Sequence, residues 1–254
     1  MSRLLAFSSL KGGVGKTTCT IFAAECLQAA GKRLLLVDLD PQHSLTTYFV
    51  ARGYEPREGQ DVLSYLSSRS GTVHDYAVAR DGLAIVPGTL RLASLTTRPP
   101  GGRKLRRMVH RLAATELENE FDYVLIDTAP TVSTLNLLSL PAIHNLVLVT
   151  TPEVWSARAI NLFLETLPQQ IKQVGSRLRD VSVVANSYDA SRRSDRNVLA
   201  AMKDSLPDYV TEPPIPFSKA VRNYVLEQQE RAHYLEPVRS AVSDVVTAIL
   251  GVSP

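Results

Sequence analysis

Eight residues near the start constrain this chain more than any others: Lys11-Gly12-Gly13-Val14-Gly15-Lys16-Thr17-Thr18, set between the apolar run Leu4–Phe7 and a segment with helical spacing at Ile21, Ala24 and Leu27. Three glycines let the backbone turn closely around an anion, and amides of the loop and of the following helix terminus can then point at phosphate oxygens. Lys16 supplies the counter charge, Thr17 a hydroxyl suited to Mg2+, and Thr18 a further hydrogen bond from the first helical turn. Leu10 stands where the usual phosphate-loop pattern has glycine. The competing reading is a solvent-facing turn ahead of an ordinary helix, and the preceding strand and the Gly-Lys-Thr order weigh against it.

The rest of the chain repeats the strand–loop–helix alternation. Gly31 is a plausible stop for the first helix, and Leu34–Val37 is a continuous apolar run of the kind buried on both faces. A short helix is expected over 61–66, a strand over 83–86 closed by Pro87-Gly88, a helix over 103–118 and a buried strand over 123–126. Strands over 146–149 and 181–185 bracket a helix over 154–167, and helices over 195–206, 219–232 and 236–250 complete the pattern. This alternation predicts an α/β fold with a mostly parallel central sheet flanked by helices, and residues 1–254 are expected to form a single domain.

Composition sets the outer limits. With 254 residues, 44% hydrophobic and 21% charged, the chain has the makeup of an ordinary folded protein, not of an uncollapsed one. A formal charge of +3 does not by itself argue for nucleic acid. Two cysteines, Cys19 and Cys26, lie in one expected helix, most simply on its buried side, and lack disulfide, metal or cluster spacing. The residues before Leu10 are read as leaving no room for an export segment or a helix-turn-helix domain. No run approaches 18 uninterrupted apolar residues, the length at which a membrane span is expected. Trp155 is expected to pack beside the helix that follows it.

Three acids stand where the expected strands end. Asp127 closes an apolar strand, as a metal-binding acid should, and Asp38 and Asp40 follow another at alternate positions, so that one can lie beside metal or water and the other against the loop. A carboxylate with an ordinary pKa near 4 takes a proton poorly, so Asp40 is better suited to orienting water than to general-base catalysis.

Together these residues resemble the ParA and MinD superfamily of deviant Walker A P-loop ATPases, which partition DNA and position cellular cargo, and most closely the short ParA-type partition ATPases. The resemblance implies that Lys11 is the additional signature lysine, reaching the phosphates of ATP held by the opposite subunit of a nucleotide-sandwich dimer. Lys16 matches the ordinary phosphate lysine, and Asp38 to Gln42 the first switch segment, with Asp40 orienting the attacking water. Asp127 to Pro130 matches the second acidic motif, with Ala129 in place of the usual proline. Asn186 is implied to lie against adenine, and Pro214, in the stretch Pro213–Phe217, to help enclose it. ATP and Mg2+ are the implied cofactors, with Thr17 on the metal and Asp38 and Asp127 acting on it through water. A homodimer when ATP is bound, nonspecific double-stranded DNA and an activating adaptor of ParB type are the implied partners, in a cytoplasmic, nucleoid-associated setting without stable membrane association.

Two basic groups are candidates for the DNA surface. Arg98, Arg103, Lys104, Arg106, Arg107 and Arg111 form a run without an intervening acid, in which 103, 107 and 111 would make a helical stripe while Leu105, Met108 and Leu112 turn inward. Its bland alternative is a solvated helix face. Arg192, Arg193 and Arg196 form the second group, which Asp189 and Asp195 can pair with, and Arg222 lies farther on. Aromatic residues are not interleaved with these arginines, so contact with a duplex backbone fits better than base stacking. Two rivals remain: a MinD-like membrane-cycling ATPase using the terminal stripe Val242, Val245, Val246, Ile249 and Leu250, which lacks a basic rim, and a DNA-independent protein that uses ATP only to lock its dimer.

Overall fold

A computed structural model of the chain describes residues 3–98, 100–130, 139–174, 176–227 and 232–251, with side chains described for all of these except 115–116, 173–174, 222, 226–227 and 232–234. The strands are β1 (Arg3–Ser8), β2 (Leu34–Asp38), β3 (Val78–Arg80), β4 (Leu83–Val86), β5 (Tyr123–Asp127), β6 (Asn145–Thr150) and β7 (Asp180–Ala185). They form one seven-stranded sheet in the order β3-β4-β2-β5-β1-β6-β7, parallel except where β3 pairs antiparallel with β4. The helices are α1 (Lys16–Ala29), α2 (Ser44–Val50), α3 (Val62–Ser67), α4 (Ala93–Thr97), α5 (Gly102–Leu112), α6 (Thr115–Glu120), α7 (Ser156–Val174), α8 (Arg193–Ser205), α9 (Lys219–Glu227) and α10 (Ala232–Leu250).

The two-residue period of the strands divides the core into two layers. Leu4, Ala6, Leu35, Val37, Val124 and Ile126 face a cluster that includes Tyr65, Leu66, Met108, Leu112, Ile160 and Met202. Their neighbours Leu5, Phe7, Leu34, Leu36 and Leu125 face α1, α2 and α10 through Ile21, Phe22, Leu27, Leu45, Val242 and Val246. Each buried Leu, Ile, Val, Phe or Met among these contributes about 1.5–3 kcal/mol of transfer free energy, which is why the central strands read as unbroken apolar runs. Val242, Val245, Val246 and Leu250 are all buried, so most of the terminal apolar stripe is spent on packing and is not presented to a bilayer. No helix among the described residues is long and apolar enough to cross a membrane.

Two expectations are corrected. The helix expected over 103–118 is broken: α5 ends at Leu112, Ala114 is extended, and α6 begins at Thr115. Met108 and Leu112 share one face, but burying Leu117 as well requires the chain to rephase, because a spacing of five does not return to that face. Trp155 does not pack against α7 but is 72% exposed; its carbonyl accepts the Ala159 amide one turn ahead of the inward-facing Ile160.

Candidate nucleotide site

The parallel order places the carboxyl ends of β1, β2 and β5 side by side, with the loop after β1 running over them into α1. Beneath this edge lies a cavity of about 790 Å3, lined by Gly12 to Thr18, Asp40, Gln42, Asn186 and Ile215 to Ser218, a size within the usual range for small-ligand sites. The loop's shape is fixed at Gly15, whose φ of +88° is open to glycine and strained for other residues. A Cβ there would stand 2.2 Å from Asn186 Nδ2, which itself donates to the Val14 carbonyl at 2.8 Å. Asn186 thereby ties the end of β7 to the phosphate loop.

Lys16 is buried, with Nζ 2.5 Å from Asp127 Oδ1 and 3.6 Å from Asp40 Oδ2. The Thr17 hydroxyl donates to Asp127 Oδ2 at 2.7 Å. Burial pushes the Asp127 carboxyl up from its ordinary range, opposed first by the Lys16 charge and then by the hydrogen bonds from Lys16 and Thr17. Asp38, on the adjacent strand, is fully buried and accepts from the Asp40 amide at 3.1 Å, the Thr46 amide at 2.9 Å and the Thr46 hydroxyl at 2.7 Å. Burial, with the Asp127 charge adding to it, pushes Asp38 up to about 7. Asp40 accepts the Gln42 amide at 2.9 Å, which holds its carboxylate at the cavity wall beside Lys16.

The donor set of Thr17, Asp38 and Asp127 is made of hard oxygens, as Mg2+ prefers, and among the described residues no group of three or more His, Cys, Asp or Glu forms an all-protein cage. That pattern fits a magnesium ion that keeps water and phosphate oxygens as its other ligands.

Lys11 behaves differently from Lys16. It is exposed, does not line the cavity, and donates to both carboxylate oxygens of Glu153 at 2.8 and 2.9 Å. Thr151 also donates to Glu153 at 2.9 Å, and these contacts, that from Lys11 foremost, hold the Glu153 carboxyl below its usual range. Of the Pro213–Phe217 stretch, Ile215, Pro216 and Phe217 line the cavity and Pro214 does not.

Sequence reasoning did not single out Glu153, Thr46 or Gly88 in these roles. The Gly88 amide donates to Thr46 Oγ1 at 2.7 Å, and a Cβ at Gly88 would lie 2.7 Å from the Asp38 carboxyl carbon. The loop after β4 therefore closes over Asp38.

The basic groups are partly engaged within the chain. The Arg111 guanidinium lies 4.5 Å from the Tyr65 ring centroid and donates to the Gly71 carbonyl, and Arg107 is half-buried, so the expected stripe of 103, 107 and 111 is not a uniform solvent-facing charge. Arg103, Lys104 and Arg106 are exposed. Arg192 pairs with Asp189 at 3.1 Å, Arg193 is exposed, and Arg196 donates to the Ala190 carbonyl at 2.6 Å. Asp195 does not pair with these arginines; it is buried and accepts the Asp189 amide at 3.1 Å. The side chain of Arg222 lies outside the described residues.

A phosphate loop between β1 and α1, an acid at the end of an adjacent parallel strand and a nucleotide-sized cavity beside them define a P-loop nucleoside-triphosphatase. A family model described as an AAA domain matches residues 2–180. The chromosome-partitioning ATPase Soj of Thermus thermophilus is 31% identical over 201 residues, covering 79% of this chain and 76% of that protein. Apo McdA from Cyanothece superposes with a TM-score of 0.81 at 21% identity, covering 99% of this chain and 100% of that one, a likeness of fold. Cobyrinic acid a,c-diamide synthase from Mycobacterium smegmatis, with bound ADP and magnesium, gives a TM-score of 0.73 at 28% identity over 89% of this chain and 93% of that one. The chain belongs to the ParA/MinD/Soj family of deviant Walker A P-loop ATPases, and it is an ATP-hydrolysing enzyme of the partition and positioning type.

Proposed function

We propose that this ATPase is a dimerising switch that binds double-stranded DNA without sequence preference while ATP is held and releases it after hydrolysis, so as to partition or position a plasmid, a chromosome or another cargo. The observation that carries this reading is the orientation of Lys11. A loop lysine that leaves its own cavity and is held at the surface by Glu153 supports a role on a nucleotide held by another copy. Lys16 and the loop amides would bind phosphate within one copy; Thr17, with Asp38 and Asp127 acting through water, would hold Mg2+, which when bound neutralises charge on the phosphate oxygens. Asp40, fixed by the Gln42 amide, would orient water. Family likeness adds an activating adaptor of ParB type and a cytoplasmic, nucleoid-associated setting. Arg192, Arg193, Arg196 and Arg222, with Arg106 and Arg107 as a second surface, would face the DNA.

The test is molecular mass in solution without nucleotide, with ADP and with ATP and Mg2+, alongside a direct measure of nucleotide binding. A monomer that doubles only with ATP is expected, and Lys11→Ala should keep nucleotide binding but lose the dimer, whereas Lys16→Ala should lose binding. Equal mass in all three states would reject the switch. DNA retention should require ATP and fall steeply with salt. Charge reversal at Arg192 and Arg193, and separately at Arg106 and Arg107, identifies the surface. A dimer without ATP-stimulated retention would favour the DNA-independent reading.

A further inference from the structure

The two most exposed large apolar side chains of the described residues directly follow Glu153. Val154 is 74% exposed, Trp155 72% and Leu162 62%, and Ala159 between them is also exposed. Trp155 stands just before α7, its carbonyl accepting the Ala159 amide, while Ala159 and Leu162 share one face of α7, with Leu162 turned away from the buried Ile160 and Leu167. An indole and two branched side chains left in water ahead of and along the first turns of one helix are a costly arrangement for a lone chain, and tryptophan is a residue type enriched among interface anchors.

The position of this face singles out its occupant. Glu153, the residue before Val154, grips Lys11 through both carboxylate oxygens. A lysine side chain spans about 6 Å, so any group of a second copy that Lys11 touches must approach the surface to which Val154 and Trp155 belong. The stripe is also compatible with self-apposition across a two-fold axis, where each patch meets its own counterpart. Its centre is uncharged, and the exposed charges along it, Arg158 and Glu165, are of opposite sign. We propose that Val154, Trp155 and Leu162 form the apolar part of a contact with a second copy of this chain, made when ATP is bound, and that Trp155 is its anchor. This rests on the ATP-dependent dimer proposed above and adds the surface that the dimer buries.

Trp155 is the single tryptophan of the chain, so its emission reports on this patch alone. The full chain is measured by light scattering and by intrinsic fluorescence with acrylamide quenching, first without nucleotide and then with ATP and Mg2+, while nucleotide binding is followed separately. The expected result is a shift of emission to shorter wavelength and a loss of quenching that follow the rise in mass as protein concentration increases. Trp155→Ala and Leu162→Ser, at exposed positions that leave the core intact, should each keep nucleotide binding and weaken dimerisation about tenfold or more. The same truncation at Leu90, 66% exposed in the segment after β4, should leave it unchanged. A dimer that forms while Trp155 stays fully quenchable and both variants dimerise normally overturns this inference and leaves the switch standing. A shift seen only on adding a different protein overturns it as well. A mass that never doubles with ATP demonstrably bound removes the dimer itself and this surface with it.

Discussion

Asp38 and Asp127 are register partners at the carboxyl ends of β2 and β5, both fully buried, yet they are compensated by different means. Asp127 receives an ammonium from Lys16 and a hydroxyl from Thr17, whereas the donors that reach Asp38 among the described residues are neutral, the Asp40 amide and the amide and hydroxyl of Thr46. Two buried carboxylates at neighbouring strand ends raise the cost of each other's charge, and the one without a cation carries more of it. This asymmetry marks Asp127 as the acid tied to the phosphate lysine and Asp38 as the acid that organises the loops around it.

A pH dependence follows from that difference. The folded pKa of Asp38, about 7, lies above its reference value of 3.8, so the folded protein holds an extra proton between those limits. Stability supplied by this group is therefore present at low pH, falls as pH rises through that window, and is gone above it. Nucleotide-free wild type should lose Tm relative to Asp38→Asn as pH rises from about 5 to about 8. A Tm difference that stays flat with pH would contradict the assignment.

Gly15→Ala should harm both stability and nucleotide binding. The left-handed backbone costs about 1–2 kcal/mol for a residue with a Cβ, and displacement of Asn186 from Val14 removes a hydrogen bond of about 1 kcal/mol. Adding Asn186→Ala removes the clash but not the backbone strain, so the double variant should regain part of the loss in thermal unfolding relative to simple addition of the two single effects.

Glu153→Gln should ease ATP-dependent dimerisation, because Lys11 would no longer have to leave a carboxylate. The pair is exposed, such pairs contribute about 0.2–1 kcal/mol, and a dimer would release two of them, so the midpoint of dimerisation should move by about thirtyfold at most. Sedimentation across a protein concentration series reads this directly. A midpoint moved to higher concentration would show that Glu153 acts within the dimer instead.

The two cysteines should differ in reactivity. Cys19 is buried against the cavity floor, and burial, aided by the Asp127 charge and opposed by Lys16, pushes its thiol up to about 12, whereas Cys26 is half-buried. Alkylation of the native protein at mildly alkaline pH should label Cys26 and spare Cys19, with both labelled after unfolding. Mass spectrometry of the peptides decides it.

Most of the sheet was legible because the central strands are buried on both faces and so read as apolar runs ending in acids. β3 was not, since three half-buried and exposed residues at a sheet edge leave no pattern in sequence. The phosphate loop and its acids were legible from residue order alone, because local backbone shape and strand ends dictate where they lie. Glu153 could not be found that way: its partner Lys11 is 142 residues distant, and only the pairing of β1 with β6 brings their following loops together. The same holds for Thr46 beneath Gly88. Trp155 and Arg111 failed in opposite senses, an apolar side chain left outside and a cation drawn onto a ring: Trp155 precedes α7 and so lies off its packed face, and Arg111 meets Tyr65 because α3 packs on α5, a contact between distant segments.

The strand that launches the phosphate loop has both of its neighbours far along the chain, β5 at Tyr123–Asp127 and β6 at Asn145–Thr150. During synthesis β1 therefore emerges with neither flank available and stays unpaired while more than a hundred further residues are made. The cavity needs still later segments, Asn186 and Ile215–Ser218. On a ribosome-bound chain the cavity therefore lacks part of its wall until residues 215–218 have been made.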